Sequence, residues 1–480
     1  MSLPINRRIR TWWLGEGHAM PGVAEKYVCG TLHYTPATLA VLFGWLLWGD
    51  VTMTLMDSLP SLLVMQLKDH AISNQAMAIL MGTLATTCNF ALNPVISYSS
   101  DRHRGRWGRR RPILLFATPF VTLFLILIPW APEITQAILR IHWIRAPLQL
   151  CPVAPIVLVF GLLIGLFQIF HVFVGAAYSY LIPDTVPEPF LGRFYGMLRI
   201  FGTAAGMLFN WFVFGQAHAH MRLVFAVFSL IYFVSFMMMS WKVREGEYPP
   251  IREERGHWFS PVRNYVKECF GEPRYWLIFV IYGAAGAAWA ESAGVFGFFF
   301  WRDQIGFTEM EIGRLSAITD MASFLLAVPL GILIDRLGSQ KSMMIGLVSV
   351  IIGNLLAFLL IHDRTTAYAI MFARRIPMFM IALSFGKWTV DMYPRAQYGQ
   401  FGSAGAMVGA LGCIFFGPLA GKLVDLWGNF YRLCFVFPVV FHSLALICSV
   451  VVYYWKKPND LEPTNDKVDT PVLSTETGGQ

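Results

Sequence analysis

The sequence predicts an all-α polytopic membrane protein with twelve transmembrane helices in two similar halves. Its 480 residues are 56% hydrophobic and 14% charged, whereas about a quarter of the residues in a soluble protein carry charge. Twelve apolar segments reach the roughly 20 residues that a helix needs to cross a bilayer. A charged motif after the second segment recurs about half a chain later, which indicates an internal repeat.

The twelve segments divide the chain into regions of distinct composition. Numbered in chain order, they cover residues 37–67, 74–99, 112–131, 153–182, 193–216, 221–241, 275–301, 311–334, 341–361, 366–392, 398–424 and 432–455. Pro60 lacks a backbone N–H and is expected to kink the first segment. A polar linker, 242–274, separates a first six-helix bundle, 37–241, from a second, 275–455. Residues 1–36 are expected to be a cytoplasmic lead-in, and the polar tail, 456–480, is expected to be disordered.

Basic residues set the expected orientation. With the N-terminus inside, the cytoplasmic side collects 24 of the 37 Lys and Arg residues and the outer loops collect 9, in line with the positive-inside rule. Both termini are then cytoplasmic, in a cell inner membrane, and the longest outer loop covers residues 131–155. Topology and anionic lipid account for most of the formal charge of +8, so no nucleic-acid partner is expected. The apolar run after Arg10 is too short for a cleavable signal peptide.

A block of charge follows the second segment. Residues 93–112 read NPVISYSSDRHRGRWGRRRP, with Asp101 and six Arg inside residues 101–111. Each Arg would cost about 2.5–3.5 kcal/mol in hydrocarbon, so the block marks a membrane surface. Residues 331–341 read GILIDRLGSQK and repeat the pattern, with Asp335 lying 234 positions (335 minus 101) after Asp101.

The two copies resemble the signature of the major facilitator superfamily, G-x-x-x-D-R-x-G-R-[RK], which lies between helices 2 and 3 and recurs weakly between helices 8 and 9. The first copy has Ser97 where the leading Gly is usual. Its Arg-rich insert resembles the glycoside-pentoside-hexuronide cation symporters and the sucrose-proton symporters. The resemblance implies the major facilitator fold, with two pseudo-symmetric six-helix bundles. It also implies a gating motif made of Asp101, Arg102, Gly108, Arg109, Arg110, Asp335, Arg336 and Gly338.

The resemblance carries further expectations for this face. Asp101 is expected to contact its own Arg block and the start of segment 11 near residues 399–403. An IPD-x-x-P element that is common in the symporter group follows segment 4 and includes Asp184, and Asp391 is its counterpart in the second half. Lys387 lies one helical turn before Asp391, so these two side chains could pair with each other.

Ionisable and amide side chains inside the segments are the candidates for a solute or coupling site, because such groups seldom face lipid. The superfamily fold implies that segments 1, 4, 7 and 10 line a central cavity, and most of the candidates lie on those segments. The candidates are Asp50, Asp57, Gln168, His171, Glu291, Asp320, Arg374 and Arg375.

Some of these candidates also have a structural interpretation. Asp50 and Asp57 lie two turns apart on one face of segment 1, but Asp57 could instead be interfacial because it is close to Pro60. His171 could relay a proton or be a hydrogen-bonded structural residue.

Charge pairing is expected in the second half. Asp320 could serve the cavity or be a neutral acid in a packed interface. The depths of the side chains predict that Glu291 forms one charged unit with Arg374 or Arg375, because an unpaired charge at that depth is costly.

Together these observations predict a secondary active transporter that moves a sugar or glycoside by alternating access as a proton symporter. The proton would bind Asp50, Asp57 or Glu291, and uncoupled transport stays an alternative. The resemblance to the melibiose-permease branch would imply a sodium site on acids of segment 2, but segment 2 has no acid here, so sodium coupling is not supported. No cofactor or metal is expected. The expected partners are a small-molecule solute and the lipid bilayer, and the expected state is a monomer.

Two other classes of function stay open. One is a major facilitator exporter or importer of a non-sugar solute, since members share the motif across many substrates. The other, less favoured, is a membrane sensor or enzyme. The sequence contains no H-E-x-x-H, G-x-S-x-G or G-x-x-x-x-G-K-[ST] motif, so neither common hydrolytic chemistry nor ATP-driven pumping is supported.

Overall fold

The computed structural model describes residues 27–246 except 104 and 106, 266–271 except 268, 273–292, 295–393 and 398–455. Within these residues the chain is helical apart from turns and a short antiparallel hairpin, β1 (Val28–Cys29) and β2 (Leu32–His33). Helix occupies every one of the twelve predicted segments. The predicted all-α polytopic fold is therefore confirmed.

The first group of helices covers residues 36–242. Its helices are α1 Pro36–Asp57, α2 Leu59–Asp69, α3 Asn74–Ala78, α4 Leu84–Arg102, α5 Arg111–Leu127, α6 Ala131–Arg140, α7 His142–Leu150, α8 Pro155–Thr185, α9 Glu188–Leu208, α10 Phe214–Ala217 and α11 Met221–Lys242. Two π-helical turns, Ile79–Thr83 and Phe209–Val213, join α3 to α4 and α9 to α10.

The second group covers residues 273–455. Its helices are α12 Pro273–Ser292, α13 Val295–Phe299, α14 Glu309–Leu337, α15 Ser339–Leu360, α16 Arg364–Met392, α17 Tyr398–Leu426 and α18 Leu433–Trp455. Counted over both groups, eleven described helical runs are long and apolar enough to cross a membrane, and α12 adds a shorter apolar stretch, Tyr275–Ala288.

The same helix pairings occur in both groups. In the first group α5 packs on α8 and α11, and α1 packs on α9 and α11. In the second group α15 packs on α16 and α18, and α12 packs on α17 and α18. The predicted division into the bundles 37–241 and 275–455 stays a prediction.

Residues 131–150 differ from the predicted outer loop. They form α6 and α7, and a 3-10 turn, Ile128–Trp130, joins α6 to α5. Pro132 in the first turn of α6 suits a helix start, because the missing N–H is not needed there. Arg222 of α11 pairs with Glu133 and lies over the ring of Trp130, 4.1 Å from its centre. These contacts hold α6 against the first group of helices.

Side-chain caps explain where several helices begin. Thr35 and Thr38, Thr308 and Glu311, and Asp363 and Thr366 form reciprocal capping boxes at the starts of α1, α14 and α16. Each cap satisfies backbone N–H groups that have no partner within the helix. The hydrogen bond from the Thr366 N–H also lowers the pKa of the exposed Asp363 carboxyl.

The helices end at two opposite surfaces. We call one the motif end, at residues 101–111, 184–188 and 336–341, and the other the far end, at residues 69–74, 217–221, 304–309 and 427–432.

Candidate functional site

The first membrane-crossing helix breaks inside the membrane span. Helix α1 ends at Asp57 and α2 begins at Leu59, because Pro60 lacks an N–H and its ring blocks a continuous helix. The Ser61 hydroxyl donates to the carbonyl of Ser58 at 2.7 Å and so satisfies one group at the break. The kink predicted at Pro60 is confirmed. Asp57 lies twelve residues before the end of α2, about 18 Å at 1.5 Å per residue.

A polar cavity of about 510 Å³ lies between the two groups of helices. Both groups line it: Asp57 and Asn210 come from the first, and Asp320, Arg374 and Arg375 come from the second. Four predicted site residues are therefore brought together around one space. A cavity walled by both groups can change its access when the groups move relative to each other.

Asp320 is the centre of a charged network in this cavity. It forms an ion pair with Arg375, whose Nε also donates to the hydroxyl of Ser323 at 3.3 Å. The side-chain amide of Asn210 donates to the other Asp320 oxygen at 3.5 Å. This is the geometry of an ion pair rather than of an isolated neutral acid. Because Asn210 belongs to the first group, the network also joins the two groups.

The observed ion pair differs from the predicted one. The sequence predicted Glu291 as the partner of Arg374 or Arg375, but Arg375 pairs with Asp320. Helices α14 and α16 pack directly against each other, so an acid on α14 reaches Arg375. Glu291 belongs to α12, and its side chain lies outside the described residues, so its role stays a prediction.

Among the residues that the structure describes, Arg374 has no such carboxylate partner. Its guanidinium carbon lies 4.8 Å from the centre of the Phe435 ring. Its buried Nε has no hydrogen-bond partner, and no carboxylate acts on its charge, among the described residues. Asn354 lines the same cavity with its side-chain oxygen buried and likewise unpartnered in the described chain. The Arg374 guanidinium and the Asn354 side-chain oxygen in the polar cavity are therefore available to bind a solute.

A second cavity, about 660 Å³, lies within the first group and touches α13 and α17. Asp57 and Ser61 line both cavities. Gln168 and His171 line this second cavity and not the polar cavity between the two groups, so their predicted place in the central cavity stays a prediction. Most of its other lining residues are apolar, and Asp57 is the one charged residue among the described residues that line it.

His171 is held by its neighbours in this cavity. Its Nδ1 lies 3.1 Å from the hydroxyl of Tyr232, and its ring stacks on Phe167 at 5.3 Å between centres. These contacts favour the structural interpretation of His171 over a proton relay.

Asp50 does not line either cavity. Its carboxylate lies beside Gly202 of α9, where an added Cβ would be 3.0 Å from the Asp50 oxygen. Arg199 and Asp57 are the charged groups that act on it. Asp50 thus lies between Asp57 and the motif end, on the face where α1 packs on α9.

At the motif end, an acid binds the Arg block. Asp184 pairs with Arg109 and with Arg110, and the Arg110 guanidinium lies 4.8 Å from the centre of the Tyr180 ring. Asp184 closes the IPD element that the sequence picked out. The side chains of Asp101 and Arg102 lie outside the described residues, so the contact predicted between Asp101 and α17 stays a prediction.

The linker also binds this block. Glu245 accepts hydrogen bonds from the backbone N–H groups of Arg109, Arg110 and Arg111, at 2.8 to 3.1 Å. Gly108 has φ +92°, and a Cβ there would lie 2.7 Å from the Glu245 carboxyl carbon. A glycine is therefore required at this turn.

The second copy of the motif repeats part of this arrangement. Gly338 again has a positive φ, +84°, at the turn between α14 and α15. Asp335 pairs with Lys387, which the sequence had considered as a partner of Asp391. Asp391 instead accepts a hydrogen bond from Ser339 at the start of α15. Arg336, the remaining motif residue of this copy, lies in the last turn of α14.

At the far end, polar contacts join the two groups. Asp425 of α17 accepts the backbone N–H groups of Asn74 and Gln75 at 3.0 Å each, at the N-terminus of α3. Lys68 donates to the hydroxyl of Tyr431 at 2.5 Å. Burial, with Asp303 nearby, raises the pKa of Tyr431 to about 12, so this hydroxyl stays protonated at physiological pH.

His218 makes a third far-end link. Its Nε2 lies 2.8 Å from Asp69, and its Nδ1 lies 3.2 Å from Glu309 at the start of α14. Asp69 and His218 belong to the first group and Glu309 to the second. Asp425, Lys68 and His218 therefore each make a far-end polar contact from one group to the other.

Residues 47–395 match the family described as MFS/sugar transport protein, which is well over half of the chain. The chain belongs to this family. It is therefore a membrane transporter of the major facilitator superfamily, and its partner is a transported small-molecule solute. No curated protein sequence matches the chain significantly.

Solved transporter structures share the fold. The nucleoside transporter NupG has a TM-score of 0.62 and 12% identity, over 88% of this chain and 99% of that one. A bacterial homologue of the iron transporter ferroportin, in an inward-facing state, has a TM-score of 0.62 and 14% identity, over 88% and 99%. The peptide transporter POT in complex with sulfate has a TM-score of 0.62 and 11% identity, over 91% and 98%. Identities this low support the major facilitator fold alone.

Several residues around the site were not predicted from the sequence. Asn210 and Asn354 are amide side chains inside apolar segments, and their presence there was the signal that could have found them. Glu245 lies in the polar linker, where nothing in the sequence distinguishes it from other acids.

Proposed function

We propose that the protein is a proton-coupled symporter of a sugar or a glycoside, with the motif end in the cytoplasm. The observation that carries the proposal is the position of Asp57, a carboxylate at a helix break that lines both cavities. An acid that touches the solute space can bind a proton only when that space is open to water, which links proton binding to access. The family description, MFS/sugar transport protein, supports the solute class.

Asp50 extends this site toward the motif end. It lies two turns from Asp57 on the same helix face and interacts electrostatically with Asp57 and Arg199. We propose that a proton taken up at Asp57 leaves through Asp50, while the solute leaves the polar cavity toward the same side.

Uptake of labelled glucose, sucrose and glucosides into proteoliposomes tests the proposal. The protein should accumulate one of these sugars when an inward proton gradient is imposed, and only equilibrate it without the gradient. Asp57→Asn should lose accumulation and keep sugar exchange, because exchange needs no net proton release. Asp363→Asn, at an exposed helix cap, is the matched control and should accumulate sugar normally.

The other outcomes of this experiment are also informative. Accumulation that survives in Asp57→Asn but not in Asp50→Asn or Glu291→Gln would move the proton site to that residue. Uptake that ignores the proton gradient in the wild type would contradict proton coupling.

A non-sugar solute is the second candidate. It is favoured by Arg374, which has no carboxylate partner among the described residues and which sugar hydroxyl groups do not require. Transport of no sugar in the screen, with transport of another solute, would support it.

A further inference from the structure

Helix α7 projects from the far end with its apolar side chains uncovered. It covers His142–Leu150 and packs on α6. Trp143 is 79% exposed and Leu150 is 86% exposed. These two side chains are seven residues apart, which is about two helical turns, so they share one face. Pro147, one turn after Trp143, is exposed on the same face. We call Trp143, Pro147 and Leu150 the apolar face of α7.

The opposite face of α7 is basic. At about 100° per residue, Arg145 lies about 200° around the helix from Trp143, and its side chain is exposed. Residues 134–154 contain Arg140 and Arg145 but no Asp or Glu. A helix with Trp and Leu on one face and a basic residue on the other is typical of helices that lie in the plane of a membrane interface.

The length of α5 shows where the far-end surface of the membrane is expected. About twenty helical residues span the roughly 30 Å of hydrocarbon. Counted from Arg111, the first residue of α5, the hydrocarbon ends near Ala131. Two residues later, Glu133 forms an exposed ion pair with Arg222 of α11. This ion pair therefore marks the level of the lipid headgroups.

Both ends of α7 are tied to this level. Helix α6 ends seven residues after Glu133, so α7 begins at most about 10 Å beyond the ion pair. On the other side, Phe120 of α5 stacks on Phe170 of α8 at 4.6 Å between ring centres. Counted fifteen residues from each ring toward the far end, Pro155 lies level with Thr135. A helix with its side chains is itself about 10–12 Å wide, so α7 fits against the headgroup layer.

The lipid-facing surface of α5 reaches the same level. Leu123, Ile126 and Trp130 are exposed, and their spacing of three and four residues places them on one face. Exposed apolar side chains therefore continue from the middle of α5 to the start of α6. This continuity favours lipid over another protein as the group that covers the apolar face of α7.

Pro147 limits the depth at which α7 can lie. It has no N–H, so the carbonyl of Trp143 lacks its helical donor. A carbonyl without a donor is costly in hydrocarbon, whereas water and headgroups can satisfy it at the interface. Helix α7 therefore suits the headgroup layer better than the hydrocarbon beneath it.

We propose that α7 lies flat in the headgroup layer of the lipid leaflet at the far end, with Trp143 and Leu150 against the acyl chains and Arg145 toward phosphates and water. Because the ion pair of Glu133 with Arg222 holds α6 to the first group of helices, the lipid contact of α7 anchors that group to the leaflet. The proposal goes beyond the proposed function and does not depend on the solute or on its coupling.

Single spin labels on the full-length protein test the position of α7. All seven native cysteines are replaced by Ser, and Trp143→Cys, Arg145→Cys or Leu150→Cys is added and labelled. Each protein is placed in vesicles of phosphatidylcholine and phosphatidylglycerol. Oxygen concentrates in lipid, whereas nickel ethylenediaminediacetate stays in water. The ratio of oxygen to nickel accessibility should be at least about threefold higher for Trp143→Cys and Leu150→Cys than for Arg145→Cys.

Two further labels calibrate this ratio. Leu123→Cys, on the exposed face of α5, is the control for a lipid environment. His362→Cys, at an exposed position between α15 and α16 at the same end, is the control for water. The labels at Trp143→Cys and Leu150→Cys should lie nearer to the lipid control, and the label at Arg145→Cys should lie nearer to the water control.

Two results of this comparison would overturn the proposal. The first is an equal ratio for all three α7 labels, which would mean that α7 lies free in water. The second is low accessibility to both reagents at Trp143→Cys and Leu150→Cys, with immobilised spectra. That result would mean that a second copy of the chain, rather than lipid, covers the apolar face.

The native Cys151, which is exposed directly after α7, tests which side chains hold the helix in place. It is labelled in a protein whose other six cysteines are replaced by Ser. Trp143→Asp together with Leu150→Asp should raise its accessibility to the nickel reagent at least about threefold, because these charges oppose insertion. His142→Gln, which leaves the apolar face intact, is the matched control and should change little. Unchanged accessibility of Cys151 in the double variant would overturn the assignment of Trp143 and Leu150 as the lipid contacts.

Discussion

The two ends of α14 meet the first group of helices differently. Gly313 and Gly331 are 18 residues apart, which is five turns at 3.6 residues per turn, so they lie on one face. At Gly313, near the far end, an added Cβ would lie 2.4 Å from the backbone oxygen of Asn210. At Gly331, near the motif end, it would meet no described atom within 4 Å. One face is therefore tightly packed at the far end and open at the motif end.

Other far-end glycines show the same close approach. An added Cβ at Gly215 would lie 2.7 Å from the Cα of Met310, and one at Gly421 would lie 2.6 Å from the Cα of Gln75. The described ion pairs of the motif end, such as Arg109 with Asp184, lie within one group. Contacts within a group survive a movement of the groups, whereas contacts between groups must break. The comparison indicates that the structure is a state closed at the far end.

The largest expected effect comes from the glycine pair. Gly313→Leu cannot be accommodated in the far-end packing, so it should hold the far end open. Sugar uptake in proteoliposomes should then fall by about tenfold or more, because each 1.4 kcal/mol by which the closed state is destabilised lowers its equilibrium constant about tenfold. Gly331→Leu should leave the thermal stability of this closed state unchanged, because its side chain enters open space. It should still slow uptake, because the opposite state needs the motif end to close. Normal uptake by Gly313→Leu would refute the far-end closure.

The second effect concerns the polar contacts that secure the far end. Asp425→Ala leaves the N–H groups of Asn74 and Gln75 without an acceptor, at a cost of about 1–3 kcal/mol for each buried group. The far end should then open more often, and solvent accessibility of α3 should rise in hydrogen exchange. Asp363→Ala is the matched control, since Asp363 caps α16 within its own group. A similar rise in exchange of α3 in both variants would mean that Asp425 acts only as a helix cap.

The fold was predictable because lipid imposes a strong pattern on the sequence. An apolar run of about 20 residues has few alternatives to a crossing helix, so helix appears in each predicted segment. The helices in the predicted outer loop, 131–155, were not predicted because its Pro residues do not form an apolar run, whereas Pro132 is accommodated in the first turn of α6.

The sequence predicted which residues have side chains suited to the site, but not which of these side chains pair with each other. Asp57, Asp320, Arg374 and Arg375 were identified because charge inside a span has few other uses. The partner of Arg375 depends on which helices touch and on how each is rotated, and neither is encoded in a local pattern. The far-end role of Asp425 was missed for the same reason.

The smallest expected effect is at His218. Its side chain is 33% exposed, and its partner Asp69 is 50% exposed, so solvent weakens these polar contacts to about 0–1 kcal/mol. His218→Gln should change uptake by less than about fivefold. Arg222→Gln, which breaks an exposed pair within the first group, is the control. A loss of uptake as large as that of Gly313→Leu would show that His218 has a further role.

The direct test of alternating closure is the accessibility of Cys434, which lines the polar cavity. In a variant whose other six cysteines are replaced by Ser, a membrane-impermeant methanethiosulfonate is added from either side of oriented vesicles. In this variant the Cys434 thiol should react rapidly from the motif end and slowly from the far end. Adding Gly313→Leu should reverse this preference. Equal reaction from both sides in the wild type, or no change in Gly313→Leu, would contradict a cavity that is closed at the far end by packing between the two groups of helices.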